Sequence, residues 1–361
     1  MLTPPATRAV VATRAEIDVT RAGAAGGRRI RQTRPVAQVD LPLAQLAEYR
    51  SAVVTPADFD DFWAGTLATG RRHELAPELR RVDGPLQMVE AYDVRYAGWD
   101  GERVAGWLVL PARRDGPVPG VVSFPGYGNG RGLPHQHLVY PAAGFAVLAV
   151  DARGQGARGE NEGVTGDSEA PVGPQYPGFL TRGITDPASY YYRRLITDCV
   201  RAVDLLASQP ALVDPERIAV SGGSQGGGLS LAVAALHPAV RAAAPAVPFL
   251  CDFPRGITFT DEQPYVEIAK YLAARRDDVE AVLRTLSYVD GVVFASRATA
   301  PALFSVGLMD PICPPSTVYA AYNAYAGPKQ IRVYPFNGHE GGGPAHDVEV
   351  LDFLHATLGS R

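Results

Sequence analysis

The chain has 361 residues, 46% of them hydrophobic and 20% charged, with a formal net charge of -4. That balance belongs to a globular protein able to bury a sizeable core; it excludes wholesale disorder and lacks the cationic excess of a phosphate-backbone binder, so nucleic acid is not an expected partner. No apolar run approaches the roughly 18 residues of a membrane helix, and Cys199, Cys251 and Cys313 are spaced for neither a zinc site nor a redox pair.

Residues 1–38 carry Arg8, Arg14, Arg21, Arg28, Arg29, Arg31 and Arg34 against only Glu16 and Asp18. With no hydrophobic pattern beside the charge, this reads as a flexible basic extension, a targeting or nucleic-acid arm being the rival. Gln32, Thr33, Arg34 and Pro35 follow Arg28-Arg29 where a secretion signal needs apolar residues, so a cytoplasmic protein with no membrane partner is expected. Residues 39–361 are read as one domain. At Thr55-Pro56, a cap residue and a proline precede aromatics at helical spacing, which predicts a helix starting there. Residues 89–96 and 103–111 are β-rich and flank Gly98-Trp99-Asp100-Gly101, a hairpin pattern.

Short apolar runs follow at 118–124, 145–150, 217–220, 242–247, 302–308 and 331–334, with helical stretches at 190–207 and 316–326 among them. This alternation predicts an α/β fold with a mostly parallel central sheet flanked by helices. Residues 249–294 turn mostly helical, at 265–274 and 278–286, and are read as a cap inserted over the carboxyl ends of the strands.

Gly222-Gly223-Ser224-Gln225-Gly226 sits between a strand and a helix-compatible stretch. That is G-x-S-x-G in strand-turn-helix context, the nucleophile elbow of α/β-hydrolases, with Gly222 and Gly226 leaving room around an exposed serine. A serine hydroxyl needs a base, and the base needs a carboxylate to orient it, in the chain order Ser, acid, His. Of His237, His339, His346 and His355, only His339 follows a strand directly. Asp310 ends the buried run 302–308 and its continuation and is the candidate acid. The Gln225 amide is one candidate oxyanion donor and the Tyr127 amide, in the glycine-rich loop Pro125-Gly126-Tyr127-Gly128, the other.

Together with Arg153-Gly154-Gln155, His339-Glu340, Pro174-Gln175-Tyr176-Pro177-Gly178-Phe179 and residues 308–315, these motifs resemble the acetyl xylan esterases and cephalosporin C deacetylases of carbohydrate esterase family seven. The resemblance covers the chain from about Val39 onward and implies an α/β-hydrolase fold with the triad Ser224, Asp310 and His339. It further implies deacetylation of acetylated xylo-oligosaccharides and cephalosporin C without metal or organic cofactor, in a homohexamer built as a trimer of dimers. Under it, Tyr127, Pro248 and Ile312 crowd the acyl pocket, and Arg153 and Gln155 serve as scaffolding. Two alternatives stay open: a hydrolase of the same fold acting on another ester, a lactone or a peptide, and a non-catalytic binding protein.

Overall fold

The computed structural model describes residues 40–168 and 173–359. The basic extension expected over residues 1–38 lies outside them. In chain order the strands are β1 (Glu78–Val82), β2 (Val89–Ala97), β3 (Arg103–Pro111), β4 (Val118–Phe124), β5 (Ala146–Val150), β6 (Val213–Gly223), β7 (Val240–Ala246), β8 (Ala302–Gly307) and β9 (Lys329–Tyr334). They form one sheet in the order β1-β2-β3-β5-β4-β6-β7-β8-β9. The first three strands pair antiparallel, as does β3 with β5, and every pairing from β5 through to β9 is parallel. The apolar runs seen in the sequence are the parallel strands, apolar throughout because helices cover both faces.

The helices are α1 (Leu43–Glu48), α2 (Phe59–Gly70), α3 (Val139–Ala142), α4 (Tyr191–Ala207), α5 (Gln225–Leu236), α6 (Phe253–Phe259), α7 (Tyr265–Ala274), α8 (Val279–Ser287), α9 (Gly291–Ala295), α10 (Pro315–Ala324) and α11 (Gly343–Leu358). The larger core lies on one face of the sheet, where α4, α5 and α10 bury Leu195, Val203, Leu229 and Val318 against Val122, Val220 and Phe304. On the opposite face α11 sets Val350, Leu354 and Leu358 against Val121, Ala219 and Ala242. Successive strand residues thus serve opposite cores. Between β7 and β8 stand α6, α7, α8 and α9, of which α9 packs on α5 and α10 within the larger core. No helix among the described residues is long and apolar enough to cross a membrane.

The helix anticipated at Thr55 begins instead at Phe59. Pro56 closes a turn by accepting the Phe59 amide, and the Asp58 carboxylate is held by the Tyr288 hydroxyl at 2.5 Å rather than capping the helix. The strand β1 has no counterpart in the sequence reading. Its segment Glu-Leu-Arg-Arg-Val carries little apolar alternation, and it is a strand because β2 offers it a paired edge.

Candidate active site

Strand β6 ends at Gly223 and α5 begins at Gln225, so Ser224 alone makes the turn between them. Its backbone lies at φ 57°, ψ -120°, a region that costs a non-glycine residue about 1–3 kcal/mol and persists only where neighbours fix it. Here the Ser224 amide donates to Ala246 O at 2.9 Å, and its carbonyl accepts from Gly228 at 3.1 Å and Phe249 at 2.9 Å. The turn also leaves no space beside it. A Cβ on Gly222 would stand 2.7 Å, and one on Gly226 2.1 Å, from the Phe124 carbonyl oxygen. The turn that presents the Ser224 side chain is therefore fixed by backbone contacts.

Asp310 follows β8 and is fully buried, and His339 sits in the loop after β9. The Asp310 Oδ1 accepts the amides of Ile312 at 2.8 Å and Cys313 at 3.0 Å, which orients the carboxylate. Its Oδ2 lies 2.8 Å from His339 Nδ1. An ionised carboxylate only accepts, so the ring proton is held at Nδ1 and Nε2 is left as the free base. The loop bearing His339 is braced by Glu340, whose oxygens accept from the Asn337 side chain at 2.8 Å and the Gly338 amide at 3.0 Å. Ser224 and His339 together line a cavity of about 540 Å³.

Asp310, Cys313 and His339 also bring one potential metal-ligand atom each within 4.8 Å of one another. The donor set does not favour a cation. Asp310 is engaged by two amides and the imidazole, and burial pushes the Cys313 thiol up, so it stays protonated beside the Ser224 hydroxyl.

The loop after β4 turns at Gly126 to Asn129, closed by the Asn129 amide on Gly126 O at 3.1 Å, which leaves the Tyr127 amide outside the turn's own bond. As the first residue of α5, Gln225 has no intrahelical acceptor for its amide either. Gln155 joins these two places. Its Oε1 accepts the Gly128 amide at 2.7 Å, and its Nε2 donates to Gln225 Oε1 and to the Tyr191 hydroxyl, both at 2.9 Å. Gln225 Oε1 also accepts the Tyr192 hydroxyl at 2.9 Å. The Tyr127 hydroxyl donates to the Glu267 carboxylate of α7 at 2.8–2.9 Å and accepts the Phe179 amide at 2.9 Å. Burial pushes the Glu267 carboxyl up, against the hydrogen bond from Tyr127.

Arg153 is fully buried under the site. Its guanidinium grips Asp198 with two bonds of 2.6 and 2.8 Å, meets Glu102 at 2.5 Å and lies 3.4 Å from Asp167. Burial opposes the charge, but the three carboxylates outweigh it and keep Arg153 protonated.

The structure thus brings Ser224, Asp310, His339, Gln225 and the Tyr127 loop to one end of the sheet. Tyr127 and Ile312 pack against the larger core, and Pro248 lies against α5 beside Gly227, so none of the three lines the cavity shared by Ser224 and His339. Of the other histidines, His237 ends α5 with Nε2 2.9 Å from Asp204, and His346 and His355 lie in α11. Glu267, Tyr191 and Tyr192 were not signalled in the sequence. Each acts on the site through contacts at separations of 33 residues or more, for which no local pattern exists.

The chain as a whole is similar to several known proteins. An acetyl xylan esterase from Paenibacillus sp. R4 superposes with a TM-score of 0.81 at 43% identity, over 88% of this chain and 100% of that one. Acetyl xylan esterase 1 from Thermoanaerobacterium sp. JW/SL YS485 gives 0.78 at 35% identity, over 89% and 100%. Acetyl esterase Axe7A of Xylanibacter ruminicola is 31% identical over 293 residues, 79% of this chain, and the match spans 63% of that relative's length. The architecture is that of an α/β hydrolase, and by its match over residues 36–357 the chain belongs to the acetyl xylan esterase (AXE1) family.

Proposed function

We propose that the protein is a serine esterase that removes acetyl groups from small acetylated substrates, xylo-oligosaccharides and cephalosporin C among them, through an acetyl-enzyme. The observation that carries this is the 2.8 Å contact that fixes the His339 tautomer at a cavity shared with the strained turn of Ser224. In the reaction His339 Nε2 takes the Ser224 proton as Oγ bonds to the acetyl carbon, and the buried Asp310 carboxylate stabilises the imidazolium. The Tyr127 and Gln225 amides donate to the oxyanion. The C–O bond to the alcohol then breaks, with His339 returning the proton to the leaving oxygen. Water, deprotonated by the same imidazole, releases acetate and restores Ser224. The proposal extends, on the family resemblance alone, to a cytoplasmic homohexamer.

An acyl pocket walled by Tyr127, Pro248 and Ile312 has no room to grow, since these residues back onto the larger core and α5. Turnover is therefore expected to fall with acyl length, with kcat/KM for p-nitrophenyl octanoate at least about 100-fold below that for the acetate, because each added methylene must be accommodated by a packed wall. A flat or rising series, or faster cleavage of a peptide amide, would favour the alternative substrates.

Glu267 acts through Tyr127 as a positioning residue. Replacing it by alanine is expected to lower kcat on p-nitrophenyl acetate by about tenfold with little change in KM, a fraction of what losing an oxyanion donor outright removes. Glu267→Gln keeps an acceptor oxygen for the Tyr127 hydroxyl and is expected to recover most of the rate. Steady-state kinetics in which both variants fall equally would argue against this role.

A further inference from the structure

The cavity that begins at Ser224 and His339 runs along the face of the sheet that carries α3 and α11. Its floor is a row of small side chains. Ser123, Ser221 and Ala244 lie side by side on β4, β6 and β7, one step beyond the row Val121, Ala219 and Ala242 that α11 covers. All three line the cavity, Ser123 half-buried and Ser221 and Ala244 buried at its base. Tyr140 rises at one wall, its hydroxyl donating to Ser221 Oγ at 2.8 Å.

Among the described residues the rim supplies acceptors and no lysine or arginine. His137 holds the Arg131 carbonyl at 2.7 Å through Nε2, which leaves Nδ1 as a bare acceptor, and burial pushes its pKa down so that the ring is neutral. Asp347 projects from α11 on the opposite rim, and among the described residues no protein group hydrogen-bonds its carboxylate. Partial desolvation pushes that carboxyl up. Among the described residues, lysine and arginine are absent from the lining, which Glu340 makes still more negative.

His339 must return its proton to the alcohol oxygen, so the alcohol leaves at the mouth of this cavity, while Tyr127 and Ile312 pack on the other face of the sheet. We propose that the cavity is the subsite for the alcohol half of the ester and selects a neutral, hydroxyl-rich ring, such as a neighbouring sugar residue, over an anionic one. The inference rests on the acetyl-esterase reading above. A sugar donates hydroxyl protons to Asp347 and His137, whereas the carboxylates of cephalosporin C meet like charge with no counterion.

The test measures kcat/KM of the full chain on acetylated xylobiose, cephalosporin C and p-nitrophenyl acetate, with the first two expressed relative to the aryl ester within each variant. Asp347→Ala is expected to lower the xylobiose ratio by about tenfold, the value of a hydrogen bond to a charged acceptor. Asp347→Lys is expected to lower it as well and to raise the cephalosporin C ratio several-fold. Asp347 is exposed on its helix, and the internal ratio removes any effect of a misfolded fraction. Ratios unmoved in both variants, or a wild-type preference for cephalosporin C, overturn the subsite alone. A wild type inactive on the aryl acetate overturns the esterase reading with it.

Discussion

Replacing Ser224 by alanine is expected to lower kcat on p-nitrophenyl acetate by roughly 10⁴- to 10⁶-fold while leaving the protein folded. The turn that presents this residue is held entirely through main-chain bonds, to Ala246 on one side and from Gly228 and Phe249 on the other. Alanine satisfies all of them, and its Cβ already exists in serine, so the strained backbone at φ 57° meets no new obstacle. Under the proposed mechanism, what disappears is the oxygen that bonds to the acetyl carbon. On the same proposal, the residual rate measures what the Tyr127 and Gln225 amides achieve with water as nucleophile. Circular dichroism and a kinetic series on the purified variant check both halves. Activity near wild type in a folded variant would mean that another group attacks the ester.

The largest effect on stability is expected from Arg153→Met. The substitution preserves much of the buried stem but removes the charge between Asp198, Glu102 and Asp167. Asp198 and Asp167 are themselves buried, so no water replaces the guanidinium that each loses. Breaking such a cluster from one side costs about 3–5 kcal/mol, readable as a lowered denaturant midpoint. Asp167 retains Arg194 at 2.8 Å, which makes Asp198 the more exposed to the loss, and a second change, Asp198→Asn, is expected to restore part of the stability. Arg153→Lys should rescue poorly, because an ammonium cannot reproduce the paired bonds of 2.6 and 2.8 Å to one carboxylate. An unchanged midpoint in Arg153→Met would show that the carboxylates are solvated after all.

The parts of the site that could be read from the sequence are those whose chemistry and local structure coincide. Ser224 announces itself because the glycines around it answer a demand made within five residues. His339 and Asp310 follow from their place after apolar strands, since a parallel sheet sends those ends to one edge. The parallel strands were legible for the same reason, each being a short apolar run. Sequence gives no such cue for β1, which is a strand only by pairing, or for α2, whose start depends on Tyr288 taking the Asp58 carboxylate from 230 residues away. The partners of Arg153 and the grip of Glu267 on Tyr127 are likewise products of tertiary packing. The cavity beside α3 is hidden for a further reason: Ser123, Ser221 and Ala244 look like ordinary small core residues, and only the register of β4, β6 and β7 sets them side by side along it.

One amide side chain, that of Gln155, touches both the loop of Tyr127 and the head of α5. It works as a calliper, setting the gap between two stretches of backbone that the chain itself does not connect. Under the proposed mechanism, the receptor for the developing negative charge is assembled before any ester arrives, and it keeps its dimensions whatever alcohol is attached. Selection pressure on the leaving-group side can then remodel the rim without detuning the chemistry, so a single invariant acyl-handling unit can serve many different acetylated compounds.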